Sequence, residues 1–261
     1  MKAQLGMRHT QLIIYTAGAA IAKIQGHTLF TKDLANRAIL LRNAGDATGG
    51  ICFIPALAMM PLSNISAILQ SSPLLVTVGA ALFLKEAVGW RRWTAILIGF
   101  VGVIIIIRPG MDGFNSASIL ALIGVVGLSV RDLVTRKINF EIPTVVVAAS
   151  AYLTLTVAAF FLMLFMGGWQ DMSSKAWAYM VAACIIGPIA YYAITLGMRI
   201  GEMSVIAPFR YTRMVFALLL GYLIFNEVPD FWMLFGSTLV IATGIYTLLR
   251  ERKLQRQLKK V

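Results

Sequence analysis

Arg210 and Arg213 stand three residues apart inside an apolar run that covers residues 204–225. At about 1.5 Å of rise per helical residue they lie roughly 10 to 15 Å into that run, near the centre of a bilayer if the run spans one. A guanidinium at that depth costs a few kcal/mol unless it faces a cavity or a partner. Two of them three residues apart share a helix face and could grip a carboxylate or phosphate through paired N–H groups. The competing reading is structural: the pair could bind an acidic residue or helix carbonyls and lock the bundle. Gln70, Ser71 and Ser72, followed by Pro73, offer uncharged hydrogen-bonding groups inside another apolar run. Such residues bind solutes or glue helices together. Tyr191 and Tyr211 also fall inside runs, where they could line a pocket for a planar or amphipathic solute or serve as ordinary packing. Asp46 and Asp132 are the candidate proton carriers. Each has a basic neighbour, Arg42 four residues before Asp46 and Arg131 or Arg136 beside Asp132, so helix-end salt bridges are the plainer expectation.

Other chemistry finds little support. His9 and His27 stand alone, Cys52 and Cys184 lie in apolar runs without metal-ligand spacing, and no GxxxxGK[ST] nucleotide loop occurs. No metal, no cofactor and no catalytic residue is expected. A membrane-embedded enzyme acting on a lipid-linked substrate would want clustered carboxylates or histidines.

The elements that position these residues are membrane helices. Hydrophobic residues make up 59% of the 261 and charged residues 13%, with a mean hydropathy of +0.81; a soluble domain is about half apolar and a quarter charged. Crossing the hydrocarbon takes about 20 mostly apolar residues. Nine runs roughly qualify: 7–24, 42–61, 64–84, 92–107, 117–135, 143–166, 175–197, 204–225 and 230–249. The net charge of +12 does not point to nucleic acid, because six of the 23 Lys and Arg sit in the tail from Arg250 to Lys260 and most others flank the runs. With the C-terminus placed in the cytoplasm, sixteen basic residues fall inside and four outside, the bias of a helical membrane protein. Trp90, Trp93, Trp169, Trp177 and Trp232 sit at run edges as interfacial anchors.

The chain also repeats itself. A shift of 141 residues brings Ser63 onto Ser204 and Glu86 onto Glu227; one further residue inserted brings Gly102 onto Gly244 and Arg108 onto Arg250. The two acidic turns fall on opposite sides, so the halves are inverted, as in transporters built from related repeats. The second half reads as five helices and the first as four, and an initial helix is expected to be missing from the first. The division predicted is 1–110 for the first repeat, 111–250 for the second and 251–261 for a basic cytoplasmic tail. Glu86 and Glu227 are expected to close loops.

The stretch from Ile54 to Gly110, which ends in PLSNISAILQSSPLLVTVGAALFLKEAVGWRRWTAILIGFVGVIIIIRPG, and the stretch from Ile194 to Arg252, which ends in LGYLIFNEVPDFWMLFGSTLVIATGIYTLLRER, resemble the ends of the two repeats of the EamA family, within the drug/metabolite transporter superfamily. RDLVTRK at 131–137 and PFRYTR at 208–213 resemble a bacterial metabolite subgroup. The resemblance implies an all-α polytopic protein of the bacterial inner membrane with a 5+5 inverted-repeat architecture. It also implies a secondary transporter moving a small organic solute by alternating access, proton-coupled or by exchange. The arginine pair favours a solute that is anionic or rich in hydrogen-bonding groups. A nonfunctional truncated transporter is the other outcome that a missing helix would allow, and a homodimer is compatible with the sequence.

Overall fold

The computed structural model describes residues 36–85, 88–109, 115–139, 141–165, 174–200 and 203–258. The expected run at 7–24, Glu86 and Trp169 lie outside the described residues. Every regular element described is an α-helix: α1 (Arg37–Met59), α2 (Leu62–Leu69), α3 (Ser72–Phe83), α4 (Trp90–Ile107), α5 (Ala117–Thr135), α6 (Thr144–Phe165), α7 (Ser174–Ile200), α8 (Met203–Phe225) and α9 (Phe231–Leu258). Six stretches among the described residues are long and apolar enough to cross a membrane, with Leu62–Phe83 taken as one. Large apolar side chains such as Leu97, Ile104, Phe161, Ile189, Phe216 and Leu223 are exposed on the outside. An outward apolar surface over internally bonded helices is what lipid demands. The chain is a multi-pass helical membrane protein.

Two breaks shape the first half. α1 begins at Arg37, where the Asn36 side chain accepts from the Ala38 N–H at 2.9 Å, and stops at the extended residue Met60 because Pro61 follows. The single run expected over 64–84 is interrupted at Gln70 and Ser71. Pro73 has no N–H to give the preceding turn, and Ser71 closes α2 locally, its N–H and hydroxyl both bonding the Ile68 carbonyl at 3.0 and 2.7 Å. α3 then restarts at Ser72 with Pro73 in its first turn.

Helix ends in both halves use the same turn. Lys85 and Asn226, 141 residues apart, both adopt left-handed φ values of 54° and 52°. After α8 the left-handed Asn226 turns the chain so that the Glu227 N–H reaches back six residues to the Gly221 carbonyl at 2.9 Å, answering one of the free carbonyls at the helix end. The Glu227 carboxylate then accepts from the Leu62 N–H at 2.9 Å and from the Ser63 N–H and hydroxyl at 3.1 and 3.0 Å. It thereby caps α2 across a sequence separation of more than 160 residues, answering the free N–H groups of that helix start.

Glycines decide which helices touch most closely. A Cβ on Gly45 would lie 2.7 Å from the Gly127 carbonyl oxygen, and one on Gly127 would lie 2.7 Å from that of Gly45. α1 and α5 are therefore in backbone contact along a seam that includes Gly49 and Gly124. Gly102 and Gly236 make the same reciprocal approach between α4 and α9. Between these seams Ile65, Ile68, Leu74, Ile96, Val125, Met214, Met233 and Val240 form the apolar core.

Asp230 precedes α9, pairing with Arg108 and accepting from the Met233 N–H at 2.7 Å. Burial alone would push its carboxyl up, but the Met233 N–H and the Arg108 guanidinium hold it below the ordinary aspartate range. A depressed carboxyl contributes stability above its unfolded value, about 3.9, that is lost as pH falls through the lower folded value. Asp230→Asn is expected to flatten the acid side of a melting-temperature profile below about pH 4 and to leave its slope near neutrality unchanged.

Candidate functional site

Polar side chains from five helices meet inside the bundle. α1 supplies Arg42, Asn43 and Asp46, α5 supplies Ser129, Arg131, Asp132 and Thr135, the α2–α3 break supplies Gln70 and Ser72, α7 supplies Tyr191 and Thr195, and α8 supplies Arg210 and Arg213. Most are close to fully buried. Burial on this scale inside an apolar bundle requires each group to find a partner.

Arg131 is the hub of the site. Its Nη1 pairs with Asp46 Oδ1 at 3.0 Å, while Nε and Nη2 reach Asp132 Oδ1 at 2.9 and 2.8 Å. Asp132 Oδ2 pairs in turn with Arg210 Nη1 at 2.6 Å. Arg210 also donates to the Ser72 hydroxyl at 3.3 Å, and Ser129 donates to the same hydroxyl at 3.2 Å. The charges thus alternate from α1 through α5 to α8. Asp132 does bind its neighbour Arg131. Asp46 departs from expectation: its ion-pair partner is Arg131 on α5, not Arg42 four residues earlier on its own helix. The glycine seam explains this, since Gly45 precedes Asp46 and Gly127 lies one turn before Arg131, so the two side chains leave backbones already in contact.

Arg42, only 1% exposed, is held by neutral acceptors. Nε donates to Thr135 Oγ1 at 3.0 Å, Nη1 to Asn43 Oδ1 at 3.2 Å and the Val147 carbonyl at 3.4 Å, and Nη2 to the Tyr191 and Thr195 hydroxyls at 3.1 and 3.4 Å. The Tyr191 hydroxyl donates onward to Asp46 Oδ2, and its ring packs at 4.9 Å from that of Tyr152. Tyr191 therefore ties α7 to the charged ladder.

Arg213 approaches the helix break. Its Nη2 donates to the Leu69 carbonyl and to Gln70 Oε1, both at 3.4 Å, and Gln70 Nε2 donates to the Tyr211 carbonyl at 3.1 Å. Arg210 and Arg213 thus both meet the α2–α3 break, at Ser72 and at Gln70. Ser71 spends its hydroxyl on Ile68. Tyr211 reaches the site only through its carbonyl: its ring packs with Leu248 on α9, and its buried hydroxyl has no hydrogen-bond partner among the described residues. A Cβ added to Gly244 would collide with that hydroxyl. Gly244→Ala is expected to destabilise the protein by about 1–3 kcal/mol through overpacking. Adding Tyr211→Phe should recover only part of the loss in detergent melts: the nearest obstructing atom and an unsatisfied polar group leave together, but the ring Cζ still stands 2.6 Å from the added Cβ.

Sequence reasoning reached Arg131 only as a partner for Asp132, and it missed Ser129, Thr135 and Thr195. The signal that could have found the α1–α5 pairing is the spacing of Gly45 with Gly49 and of Gly124 with Gly127, small residues on one face of each helix.

Comparison with known proteins follows the same lines. The chain is 30% identical over 200 residues to the riboflavin transporter of Vibrio cholerae, an overlap that covers 76% of this chain and 66% of the relative. It is 24% identical over 197 residues to the S-adenosylmethionine uptake transporter of Rickettsia conorii, with the same two coverages. It is also 24% identical over 264 residues to the pseudopaline exporter of Pseudomonas aeruginosa, covering 97% and 85%. The chain thus spans 66% of the length of the first two. A solved crystal structure shares the fold, with a TM-score of 0.67 at 22% identity over 97% of this chain and 89% of the other. The EamA-like transporter family matches over residues 11–108 and again over 115–250, and the chain belongs to that family.

Proposed function

We propose that this protein is a secondary transporter that moves a small organic solute across the bacterial inner membrane by alternating access, driven by proton coupling or exchange. The observation that supports this reading best is the buried ladder of four arginines and two aspartates where α1, α5, α7, α8 and the α2–α3 break converge. Intramembrane charge is costly, and it is retained where a solute or ion must be handled. Broken helices at such a point free backbone groups for a solute. Arg210, Arg213, Gln70, Ser72 and Tyr191 form the binding side of the reading, with Ser71 and Tyr211 shaping the backbone around it. Asp46 and Asp132 form the coupling side. The two halves, 1–110 and 111–250, would rock about this point, with the tail at 251–261 in the cytoplasm.

The similar proteins named as riboflavin and S-adenosylmethionine transporters supply the first solutes to try. Protein reconstituted in proteoliposomes is expected to accumulate one solute of a metabolite panel beginning with these two, above protein-free vesicles. A proton ionophore should collapse the accumulation if protons drive it, and internal unlabelled solute should accelerate it if exchange does. Folded protein that gives neither uptake nor counterflow with any solute of the panel would overturn the reading.

A further inference from the structure

We infer that Arg213 is the docking group for an anionic moiety of the transported solute, a carboxylate or a phosphate, held beside Gln70 at the break between α2 and α3. The inference rests on the transporter reading above and adds the charge class of the solute. It follows from how the four guanidinia of this site are satisfied. Arg131 meets both carboxylates, and Arg210 meets Asp132 at 2.6 Å. Both oxygens of each carboxylate are thereby engaged, those of Asp46 by Arg131 and Tyr191 and those of Asp132 by Arg131 and Arg210. Arg42 has no carboxylate, but its Nε and both Nη atoms donate to acceptors from α1, α5, α6 and α7, and it lies 5.7 Å from the Tyr191 ring centroid. Its cradle is complete.

Arg213 differs from all three. Its hydrogen bonds go to neutral oxygens only, both at 3.4 Å and both from one Nη, and its Nε is buried with no partner. Arginine prefers a bidentate anion at 2.7–2.9 Å to single long bonds with amide oxygens. The Leu69 carbonyl and the Gln70 amide therefore act as a holding place, which an incoming anion would displace. Arg210 is unsuited to this role because Asp132 already occupies it. The neighbouring Arg210–Asp132 pair and the Ser72 hydroxyl would face the rest of the solute and favour polar groups adjacent to the anion.

The test uses the full chain in a nonionic detergent free of phospholipid, so that a lipid headgroup is not the source of anion. Inorganic phosphate and acetate are each titrated at constant ionic strength against chloride while the melting temperature is followed. The expected result is a rise of about 3 °C at tenfold excess over Kd, lost in Arg213→Gln and reduced in Arg213→Lys, which keeps the charge without the planar fork. A second measurement needs no variant. Phosphate should slow modification of Arg213 by phenylglyoxal in the wild-type protein several-fold and leave Arg108 unaffected, as read by peptide mass spectrometry. An equal melting shift in Arg213→Gln, no shift in the wild type, or no protection of Arg213 would overturn the anion site. The transporter reading is separable: anion-dependent stabilisation without uptake of any solute would keep the site and remove the transporter, and uptake confined to neutral solutes would do the reverse.

Discussion

Arg131→Met is expected to lower the stability of this protein by about 3–5 kcal/mol, the cost of stranding buried charge. Arg131 is 14% exposed and stands between carboxylates that are 3% and 2% exposed. Without it Asp46 keeps only the Tyr191 hydroxyl, and Asp132 keeps only Arg210. Arg210→Met should cost less, because Asp132 would still hold two contacts from Arg131. The double variant Arg131→Met, Asp46→Asn removes one charge of each sign and should recover most of the stability, since a buried pair replaced together is often near neutral. Thermal melts of the single and double variants in detergent check the order. A single variant as stable as the wild type, or a double variant no better than Arg131→Met, would contradict the ladder as drawn.

What local spacing can reveal, it revealed. Arg210 and Arg213 share a helix face because residues three apart are neighbours on a helix, and in the fold that face meets Ser72 and Gln70. The same geometry turns Tyr211 away. One residue on from Arg210, it points about 100° around the helix, which here is toward α9 and Leu248. Asp46 illustrates the limit. Spacing offered Arg42 at four residues, a normal helical pair, and the fold chose Arg131, 85 residues away. That choice depends on how closely two helices approach, a property of both faces together. Arg42 is a similar case: its acceptors come from four helices, and residue types along one run do not disclose them. The break at Gln70–Ser71 falls between these extremes, because Pro73 signals a disturbance and only the fold shows that Ser71 completes it.

The alternation of charge through the site is thus set by a backbone contact, and this makes Gly127 as important as any charged residue. A Cβ there would stand 2.7 Å from the Gly45 carbonyl oxygen and 2.9 Å from the Gly49 nitrogen, atoms fixed in the hydrogen-bonded ladder of α1. Neither can give way as a flexible side chain would. Gly127→Leu is therefore expected to force α1 and α5 apart and to cost about 3 kcal/mol, with Gly127→Ala milder but of the same sign, despite alanine's better helix propensity. Because Gly45 adjoins Asp46 and Gly127 is one turn from Arg131, separation of the seam would stretch the Asp46–Arg131 pair of 3.0 Å. Combining Gly127→Leu with Arg131→Met should then cost less than the sum of the two, since the first has already weakened what the second removes. Strict additivity in a double-mutant melting cycle would show that the seam and the charge ladder are independent, and would refute the dependence of the site on the glycines.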